Sequence, residues 1–222
     1  YKRQARANRE DLLPGYKANR TYDKDQSFMD QKRKIEKSIR EHFPIIVARD
    51  MGLEADDIIG YLAKEKHAGD ECVIVSSDTD FIQLLQQHEN CLLYNPITKK
   101  FREKPSYDYV TWKSLRGDGA DNIPGIPRVG DKTAEKLSKD QDLLNKFLDE
   151  NIDRRNTFER NVELISLRNP KDSKDVSYSD KILDKQQIVS MFRDLNFHSM
   201  LKESYLSKYF KVLEKINENF VG

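Results

Sequence analysis

Three groups of acidic side chains stand at positions from which carboxylates could act together. They are Glu54, Asp56 and Asp57, then Asp78 and Asp80, then Asp118 and Asp121. Several carboxylates in one pocket repel one another unless a cation compensates their charge. No His or Cys stands among them, and a set of oxygen ligands favours Mg²⁺ or Mn²⁺ over zinc. Two such ions about 3.5–4 Å apart would clamp the attacking and leaving oxygens of a phosphoryl transfer.

Two of these carboxylates also have a simpler explanation. Asp57, at the start of a predicted helix, and Asp78, just before the next helix, have the type and position of helix caps. Capping does not explain why two of the groups follow strands of one predicted parallel sheet. Ligands bind outside the carboxyl ends of such strands. The sequence therefore predicts a shared site and leaves capping open for Asp57 and Asp78.

A glycine-rich segment contains the third acidic group. Residues 117–137 read GDGADNIPGIPRVGDKTAEKL, and the stretch from Gly125 to Gly130, flanked by helices, is typical of a helix–hairpin–helix. Glycines allow a backbone to approach a phosphate closely, and N–H groups at the start of the second helix donate to it. Lys132 adds a positive charge and Thr133 a hydroxyl, so the segment is predicted to bind a DNA backbone rather than its bases. The alternative is an ordinary Gly/Pro loop.

The elements that must position these groups alternate between strands and helices in the first half of the chain. The sequence predicts strands at 44–48, 71–77, 91–95 and 100–102, and helices at 27–43, 54–67 and 81–87. Apolar runs without alternation are typical of a parallel sheet that helices cover. After residue 107 the pattern predicts helices at 131–137, 141–150, 153–168, 184–194 and 199–217. The predicted class is α/β with a helical second half.

Composition and charge also limit which kinds of protein the chain can be. The chain has 222 residues, of which 37% are hydrophobic and 35% charged, and this suits one core with a small appended lobe. Net charge is +1, but residues 1–40 hold twelve Lys and Arg against six Asp and Glu. A basic end joined to an acidic body is typical of a protein that grips phosphates and also holds cations. No apolar run approaches the roughly 18–20 residues of a membrane span, and residues 1–20 contain no apolar segment of the kind found in signal peptides.

The two cysteines, Cys72 and Cys91, each lie in an apolar run. Buried free thiols are the expected state, rather than a disulfide or a metal-binding pair. A reducing, intracellular compartment agrees with this cysteine usage.

Four motifs resemble those of the flap endonuclease/5′→3′ exonuclease family, with the arrangement closest to its phage RNase H branch. They are YKANR at 16–20, EADD at 54–57, SSDTDF at 76–81 and the segment at 117–137. The resemblance implies a PIN-like α/β core whose central, mostly parallel sheet is flanked by helices, with a helical arch and a helix–hairpin–helix lobe. The domains expected are a nuclease core at 1–106, including a basic arch region at about 17–40, and a helical region at 107–222, including the hairpin motif at about 112–137.

The resemblance also implies roles for individual residues. It implies that two Mg²⁺ or Mn²⁺ ions are bound by Glu54, Asp56, Asp78, Asp80 and Asp118. Asp57 and Asp121 would have supporting or water-mediated roles. Duplex DNA binding falls to Gly125, Ile126, Val129, Gly130, Lys132 and Thr133, in a hairpin whose backbone carbonyls hold a monovalent cation such as K⁺. Phosphate binding near the scissile bond falls to Arg3, Lys17 and Arg20, for which a solvated basic face is the alternative.

The function implied is hydrolysis of phosphodiesters at 5′ ends or flap junctions of DNA or RNA–DNA hybrids in replication or repair. The expected partners are DNA with a 5′ flap, nick or 5′ end and, among proteins, a polymerase, a clamp or a single-strand-binding protein. A monomer in the cytoplasm or nucleoid of a bacterial or phage-infected cell is expected. Two alternatives stay open: a structure-specific DNA-binding module without cleavage, and a PIN-class ribonuclease. The helix–hairpin–helix, which suits duplex DNA, counts against the ribonuclease.

The family also has one metal-binding Asp on its first strand and another just before the basic stretch, and no residue here matches them. Tyr1 is not an initiator, and residues 1–20 read as a continuation. The sequence is therefore expected to be part of a longer protein. Either a preceding segment supplies these ligands or the product is catalytically impaired.

Overall fold

The computed structural model describes residues 8–20, 25–50, 52–168 and 176–218. The helices are α1 at 8–12, α2 Gln26–His42, α3 Ala55–Tyr61, α4 Ile82–Gln87, α5 Tyr109–Arg116, α6 Asp131–Ser138, α7 Gln141–Asp149, α8 Ile152–Ile165, α9 Lys185–Asp194 and α10 Glu203–Glu218. The strands are β1 Ala48–Arg49, β2 Cys72–Val75, β3 Cys91–Asn95, β4 Lys100–Phe101, β5 Gly117–Asp118, β6 Ile123–Pro124 and β7 Ser177–Tyr178. None of these helices is long and apolar enough to cross a membrane.

Packing divides the chain into two compact units. The first unit holds residues 1–21 and 50–175, and the second unit holds residues 22–49 and 176–222. The arch region expected at 17–40 is therefore shared between the units. The domain boundary at 106/107, which follows a change in sequence character rather than packing, stays a prediction.

The first unit is built on a three-stranded sheet with the strand order β2–β3–β4. β2 and β3 are parallel, with Cys72 opposite Cys91, and β4 runs antiparallel to β3. Parallel strands need a crossover connection, and α4 lies in this one. Side chains alternate across a strand, so Ile74 and Leu93 share one face, where they pack in a core with Phe81. Both thiols are free, as predicted, although Cys72 is only half-buried.

The other face of this sheet differs from the prediction. Val73, Val75 and Leu92 are 49%, 63% and 39% exposed, whereas an apolar run without alternation indicates burial on both faces. Within the part of the chain that the structure describes, this face therefore meets solvent. The apolar run located the strands correctly but did not reveal which face is covered.

The helix–hairpin–helix is formed by α5 and α6, which pack against each other. Two glycines are required in the turn between them. Gly117 has a φ of +77°, and a Cβ there would lie 2.3 Å from the Gly125 nitrogen. A Cβ on Gly125 would lie 2.1 Å from the Arg116 carbonyl oxygen. Because neither position has room for a side chain, the glycine spacing of the motif is a steric requirement of the fold.

The second unit has its own small core. Phe43, which follows α2, packs with Ile188 and Phe192 of α9 and with Leu213 of α10. β1 pairs antiparallel with β7 in the same unit.

The strand predicted at 44–48 is wrong in extent, because β1 begins only at Ala48. The Ile45 N–H donates to the Phe43 carbonyl over 2.7 Å, so the chain turns where the strand was expected. Ile45 and Ile46 are 41% and 51% exposed. Pro44 has no N–H to give to a ladder, which agrees with a turn at this point.

Candidate functional site

Five of the acidic side chains predicted from the sequence line one small cavity in the first unit. The cavity has a volume of about 20 Å³, enough for roughly one water molecule. Its polar lining consists of Glu54, Asp56, Asp80, Asp118 and Asp121, together with Arg9, Tyr16 and Lys17. The start of α3, the turn after β2 and the hairpin after α5 thus deliver carboxylates to one place. This is the convergence that helix capping alone does not explain.

Asp57 does not line the cavity and is only 1% exposed. Its Oδ1 accepts from Arg9 Nη2 at 3.0 Å and from the Arg168 backbone N–H at 2.9 Å. Its Oδ2 accepts from Arg9 Nη1 at 3.2 Å and from the Glu54 backbone N–H at 3.3 Å. Each carboxylate oxygen therefore has two donors. The contact with the Glu54 N–H is part of the cap of α3. These contacts favour a supporting role, and Asp57 as a direct metal ligand stays a prediction.

Two cations hold the carboxylate of Glu54. Arg9 Nη1 donates to Oε2 over 2.7 Å, and Lys17 Nζ donates to both oxygens over 2.9 Å each. Burial by itself would lower the pKa of Lys17, but its hydrogen bonds to Glu54 and Tyr16 outweigh this effect and raise the pKa. Lys17 is therefore an ammonium at neutral pH.

The basic segment at 16–20 lies against the acidic turn at 119–121. The Lys17 N–H donates to the Asp121 carbonyl over 2.8 Å, and Asn19 Nδ2 donates to the Gly119 carbonyl over 2.7 Å. Arg20 forms an ion pair with the Asp121 carboxylate, which also lies 3.5 Å from Lys17 Nζ. Two motifs that are about a hundred residues apart in the sequence therefore form one surface.

Lys113 of α5 joins the second and third acidic groups. Its ammonium forms ion pairs with Asp80 and with Asp118, the latter at 2.8 Å. The Tyr109 hydroxyl, one turn earlier, lies 2.8 Å from Thr79 Oγ1 and 3.3 Å from Asp80 Oδ1. Burial raises the pKa of Asp80, and Lys113 only partly opposes the rise. For Asp118 burial acts in the same direction, but Lys113 and backbone N–H donors outweigh it and lower the pKa.

Asp56 and Asp78 have no such cation. Neither carboxylate forms an ion pair with any residue in the described ranges. Burial raises the pKa of Asp56 to about 6, and the negative charge of Asp78 adds to the rise. Asp78 is exposed, and its Oδ1 accepts from the Asp80 N–H at 2.9 Å, so it does cap the following turn. Lys17 opposes part of the rise in the pKa of Asp56 through its positive charge. A pair of carboxylates that lacks a direct ion pair is where an external cation would be bound most favourably.

A divalent metal suits the chemistry of this donor set, although the side chains are not arranged around one. Within residues 8–20, 25–50, 52–168 and 176–218, no three Asp, Glu, His or Cys side chains are grouped closely enough to hold a metal ion. The ammonium groups of Lys17 and Lys113 lie on Glu54, Asp80 and Asp118 and occupy their oxygens. All the donors are carboxylate oxygens, which hard cations such as Mg²⁺ and Mn²⁺ prefer.

The residues predicted to bind duplex DNA divide between surface and core. They are Gly125, Ile126, Val129, Gly130, Lys132 and Thr133. The last three are exposed at the start of α6, and Gly125 and Val129 are half-buried. Ile126 is 3% exposed and belongs to the core beneath the hairpin. Its side chain therefore stabilises the turn, and the predicted DNA-binding residues that are exposed are Gly130, Lys132 and Thr133.

Sequence reasoning missed two cations of the site, Arg9 and Lys113. Arg9 lies three and four residues before Leu12 and Leu13, which are half-buried, and Lys113 lies four residues after the buried Tyr109. A Lys or Arg on the apolar face of a helix was the available signal, because such a residue must find a buried partner. Arg3, the third predicted phosphate-binding residue, lies outside the described residues.

Solved structures define the class of the fold. A structure of T5 5′-exonuclease with zinc bound matches with a TM-score of 0.54 and 19% identity, covering 95% of this chain and 80% of that one. A bacteriophage T5 flap endonuclease in complex with DNA and metal ions matches with a TM-score of 0.52 and 18% identity, covering 95% and 79%. At this identity the likeness establishes the fold, an α/β core of the PIN-like class. The predicted fold class is confirmed.

Sequence relatives narrow the class to a family. The 5′-3′ exonuclease of Buchnera aphidicola subsp. Acyrthosiphon pisum (strain APS) is 32% identical over 173 residues, which are 71% of this chain and 56% of that protein. The DNA polymerase I of Rhizobium leguminosarum is 32% identical over 178 residues, 73% of this chain and 17% of that protein. The chain thus spans about half of the first relative and a small part of the second. The family model for the 5′-3′ exonuclease N-terminal resolvase-like domain matches residues 2–113, about half of the chain. The chain belongs to this family, and the resemblance seen in its motifs is confirmed.

Proposed function

We propose that this chain is the nuclease part of a metal-dependent 5′→3′ exonuclease/flap endonuclease, which hydrolyses phosphodiesters at 5′ ends or flap junctions of DNA or RNA–DNA hybrids. The observation that carries the proposal is the cavity where five acidic side chains meet Lys17, in a member of a 5′-3′ exonuclease family. The Buchnera relative is named a 5′-3′ exonuclease, and the T5 flap endonuclease was solved with DNA and metal ions. Both names support a nucleic-acid substrate with a 5′ end.

The side chains proposed to hold divalent ions are Glu54, Asp56, Asp78, Asp80 and Asp118, with Asp57 and Asp121 supporting them. Oxygen-only donors favour two Mg²⁺ or Mn²⁺ ions, and T5 structures solved with divalent ions support metal dependence without deciding the ion. When bound, such ions supply charge that activates water and offsets the negative charge on the leaving oxygen.

Lys17 and Arg20 are proposed to bind the phosphate beside the cleaved bond. Their side chains are 12% and 39% exposed, so both can be reached from outside the protein. Each cation now satisfies a carboxylate, Glu54 or Asp121. A DNA phosphate would take the place of that carboxylate as the partner of the cation, since both are anions whose oxygens accept charge-assisted hydrogen bonds. Arg3 is proposed for the same role.

The start of α6 is proposed to bind the duplex beyond the cut. A Cβ on Gly130 would meet nothing within 4 Å, so a phosphate can approach this backbone. The N–H groups of the first turn and the Lys132 ammonium would then share one phosphate. Backbone carbonyls in residues 122–133 are proposed to hold K⁺, which would lower the repulsion between the hairpin carbonyls and DNA.

A DNA-binding module without cleavage is the second candidate, and one observation favours it. Lys113 bridges Asp80 and Asp118, and Lys17 holds Glu54, so cations of the chain already neutralise part of the site. If these ammonium groups keep their places, the site binds DNA without binding a metal ion. The PIN-class ribonuclease has no comparable observation in its favour.

Cleavage of a 5′-labelled flap duplex in Mg²⁺ tests the proposal. The protein is assayed as the 222-residue chain and as the complete product of its gene. The variants are Asp78→Ala and Asp80→Ala, with Glu89→Ala as the control because Glu89 is exposed and belongs to none of the three acidic groups. Single-stranded RNA is the second substrate. We expect cuts near the junction that EDTA stops and that fall at least about a hundredfold in both the Asp78→Ala and the Asp80→Ala variant.

The outcomes separate the candidates. Cleavage that needs metal, is lost in Asp78→Ala and Asp80→Ala and persists in Glu89→Ala supports the nuclease. Tight flap binding without cleavage by the complete gene product favours the binding module and removes the metal assignments. Preference for the single-stranded RNA favours the ribonuclease.

A polymerase is the protein partner we propose first, because the Rhizobium relative is a DNA polymerase I. A clamp and a single-strand-binding protein are proposed from the substrate alone. A monomer that acts on DNA inside the cell is the proposed working form.

A further inference from the structure

Arg9 is the most deeply buried cation of the site, at 4% exposed, and no motif marked it. The Arg9 guanidinium donates hydrogen bonds to two carboxylates. Its two terminal nitrogens make a paired contact with Asp57 at 3.0 and 3.2 Å, and Nη1 also donates to Glu54 Oε2 at 2.7 Å. Asp57 itself is fixed by the backbone N–H groups of Glu54 and Arg168. The guanidinium is therefore held in place by Asp57 and is in turn able to hold Glu54.

The two oxygens of Glu54 are held unequally. Oε2 accepts from Arg9, from Lys17 and, at 3.5 Å, from the Tyr16 hydroxyl. Of the side chains in the described ranges, only Lys17 donates to Oε1, and the Asp57 backbone N–H also contacts the Glu54 side chain as part of the cap of α3. Lys17 can be displaced, either by a DNA phosphate that draws it away or by a divalent cation that competes for Oε1, while Arg9 still holds Oε2. Glu54 would then face the cavity with one anchored oxygen and one available oxygen.

We infer that Arg9 is a positioning residue that orients Glu54 as a ligand for a divalent cation. The inference rests on the proposed function, since it deepens the role of the same cavity. A Lys at position 9 keeps the charge but cannot reproduce the planar fork that contacts two carboxylates at once. Groups that orient a ligand in this way typically change metal affinity by about 10–100-fold when they are replaced.

A purely structural role for Arg9 makes a different prediction. Loss of a structural ion pair would weaken folding and would lower metal affinity to the same extent whether or not Glu54 is present. An orienting role acts through Glu54, so its effect should vanish when Glu54 can no longer bind a cation. A double-mutant cycle measures this dependence directly.

The experiment measures Mn²⁺ binding by calorimetry and by electron paramagnetic resonance, without DNA. The proteins are the wild type, Arg9→Lys, Glu54→Gln and the double variant. Arg154→Lys is the matched control, since Arg154 also pairs with a Glu but lies away from the cavity on α8. Circular dichroism confirms that each protein is folded. If Arg9→Lys does not fold, Arg9→Gln combined with Asp57→Asn replaces it, because this pair removes the guanidinium without leaving a buried charge.

We expect Arg9→Lys to weaken Mn²⁺ binding at least about tenfold in the wild-type background and less than about twofold in the Glu54→Gln background. Unchanged binding in Arg9→Lys, or an equal loss in both backgrounds, overturns the inference while leaving the proposed function standing. A wild type that binds no Mn²⁺ overturns both. If Glu54→Gln leaves no measurable binding, the crystal structure of Arg9→Lys decides. A displaced Glu54 carboxylate supports the inference, and an unmoved one overturns it.

Discussion

Asp56 and Asp57 are consecutive residues of one helix, yet their carboxylates lie in opposite electrostatic environments. Asp57 is 1% exposed and accepts four hydrogen bonds, two of them from the Arg9 guanidinium. Asp56 lines the cavity without an ion pair to a described residue, and burial beside Asp78 raises its pKa to about 6. We call the first environment, the pair of Arg9 and Asp57, the closed corner, and the second, Asp56 and Asp78, the open rim.

The presence or absence of an internal cation beside each carboxylate separates a part of the acidic cluster that stabilises the fold from a part that is suited to bind an added cation. In the closed corner every charge has a partner inside the protein, so the group contributes to folding and gains nothing from an added cation. At the open rim carboxylates repel one another, so the fold is weakened locally until a cation arrives. Lys113, between Asp80 and Asp118, is intermediate, because it provides an internal cation that a metal ion would have to displace.

Breaking the closed corner should have the largest effect. Asp57→Ala leaves the Arg9 guanidinium buried without its main partner, and removing one member of a buried ion pair typically costs about 3–5 kcal/mol. We expect urea unfolding in EDTA to show a loss of this size in the free energy of unfolding. Mn²⁺ should not restore it. The comparison fails if Asp57→Ala is no less stable than Glu89→Gln, the exposed-acid control.

Removing the intermediate cation should have a smaller effect that metal reverses. Lys113→Gln leaves Asp80 and Asp118 facing each other, and loss of hydrogen bonds to charged groups costs about 2 kcal/mol. Urea unfolding is measured in EDTA and in saturating Mn²⁺. We expect the free energy of unfolding to fall by this amount in EDTA and to recover in Mn²⁺. A loss that Mn²⁺ leaves unchanged would show that Lys113 only maintains the fold.

Neutralising the open rim should raise stability, in contrast to the closed corner. The pKa of Asp56 rises from its ordinary 3.8 to about 6 on folding, so the folded state binds the proton more tightly. Stability therefore falls as pH rises through this window, and the full penalty is present above about pH 6. We expect Asp56→Asn to stabilise the metal-free protein at about pH 8 by roughly 1 kcal/mol, since solvent screens a half-buried group. The gain should disappear near pH 4. Destabilisation at pH 8 would contradict the account.

The sequence predicted much of the site because its acidic residues are tied to chain geometry. Asp78 and Asp80 follow a strand end, Glu54 and Asp56 begin a helix, and Asp118 stands in a turn that needs glycine at 117 and 125. Each position can be read locally. The capping contact of Asp57 was predicted too, since capping is a local pattern, and its role in supporting a metal site stays a prediction.

The rest depended on contacts between distant parts of the chain. Arg9 meets Asp57 across 48 positions of sequence, and its place on the apolar face of α1 indicates that it needs a partner without indicating which one. Lys113 meets Asp80 across 33 positions. Ile126 is predicted to bind DNA from its place in the hairpin motif, and that its side chain belongs to the core depends on the packing beneath the hairpin. The exposed face of β2 and β3 likewise depends on which elements cover the sheet, which an apolar run does not specify.

The central claim is that the cavity carboxylates form a divalent metal site, and anomalous diffraction from a crystal soaked in Mn²⁺ tests it most directly. We expect anomalous peaks within ligand distance of Asp56, Asp80 and Asp118, with the Lys113 ammonium moved away from its carboxylates. The contrary result is a cavity without a peak, in which Lys113 still bridges Asp80 and Asp118 while Mn²⁺ binds elsewhere on the protein.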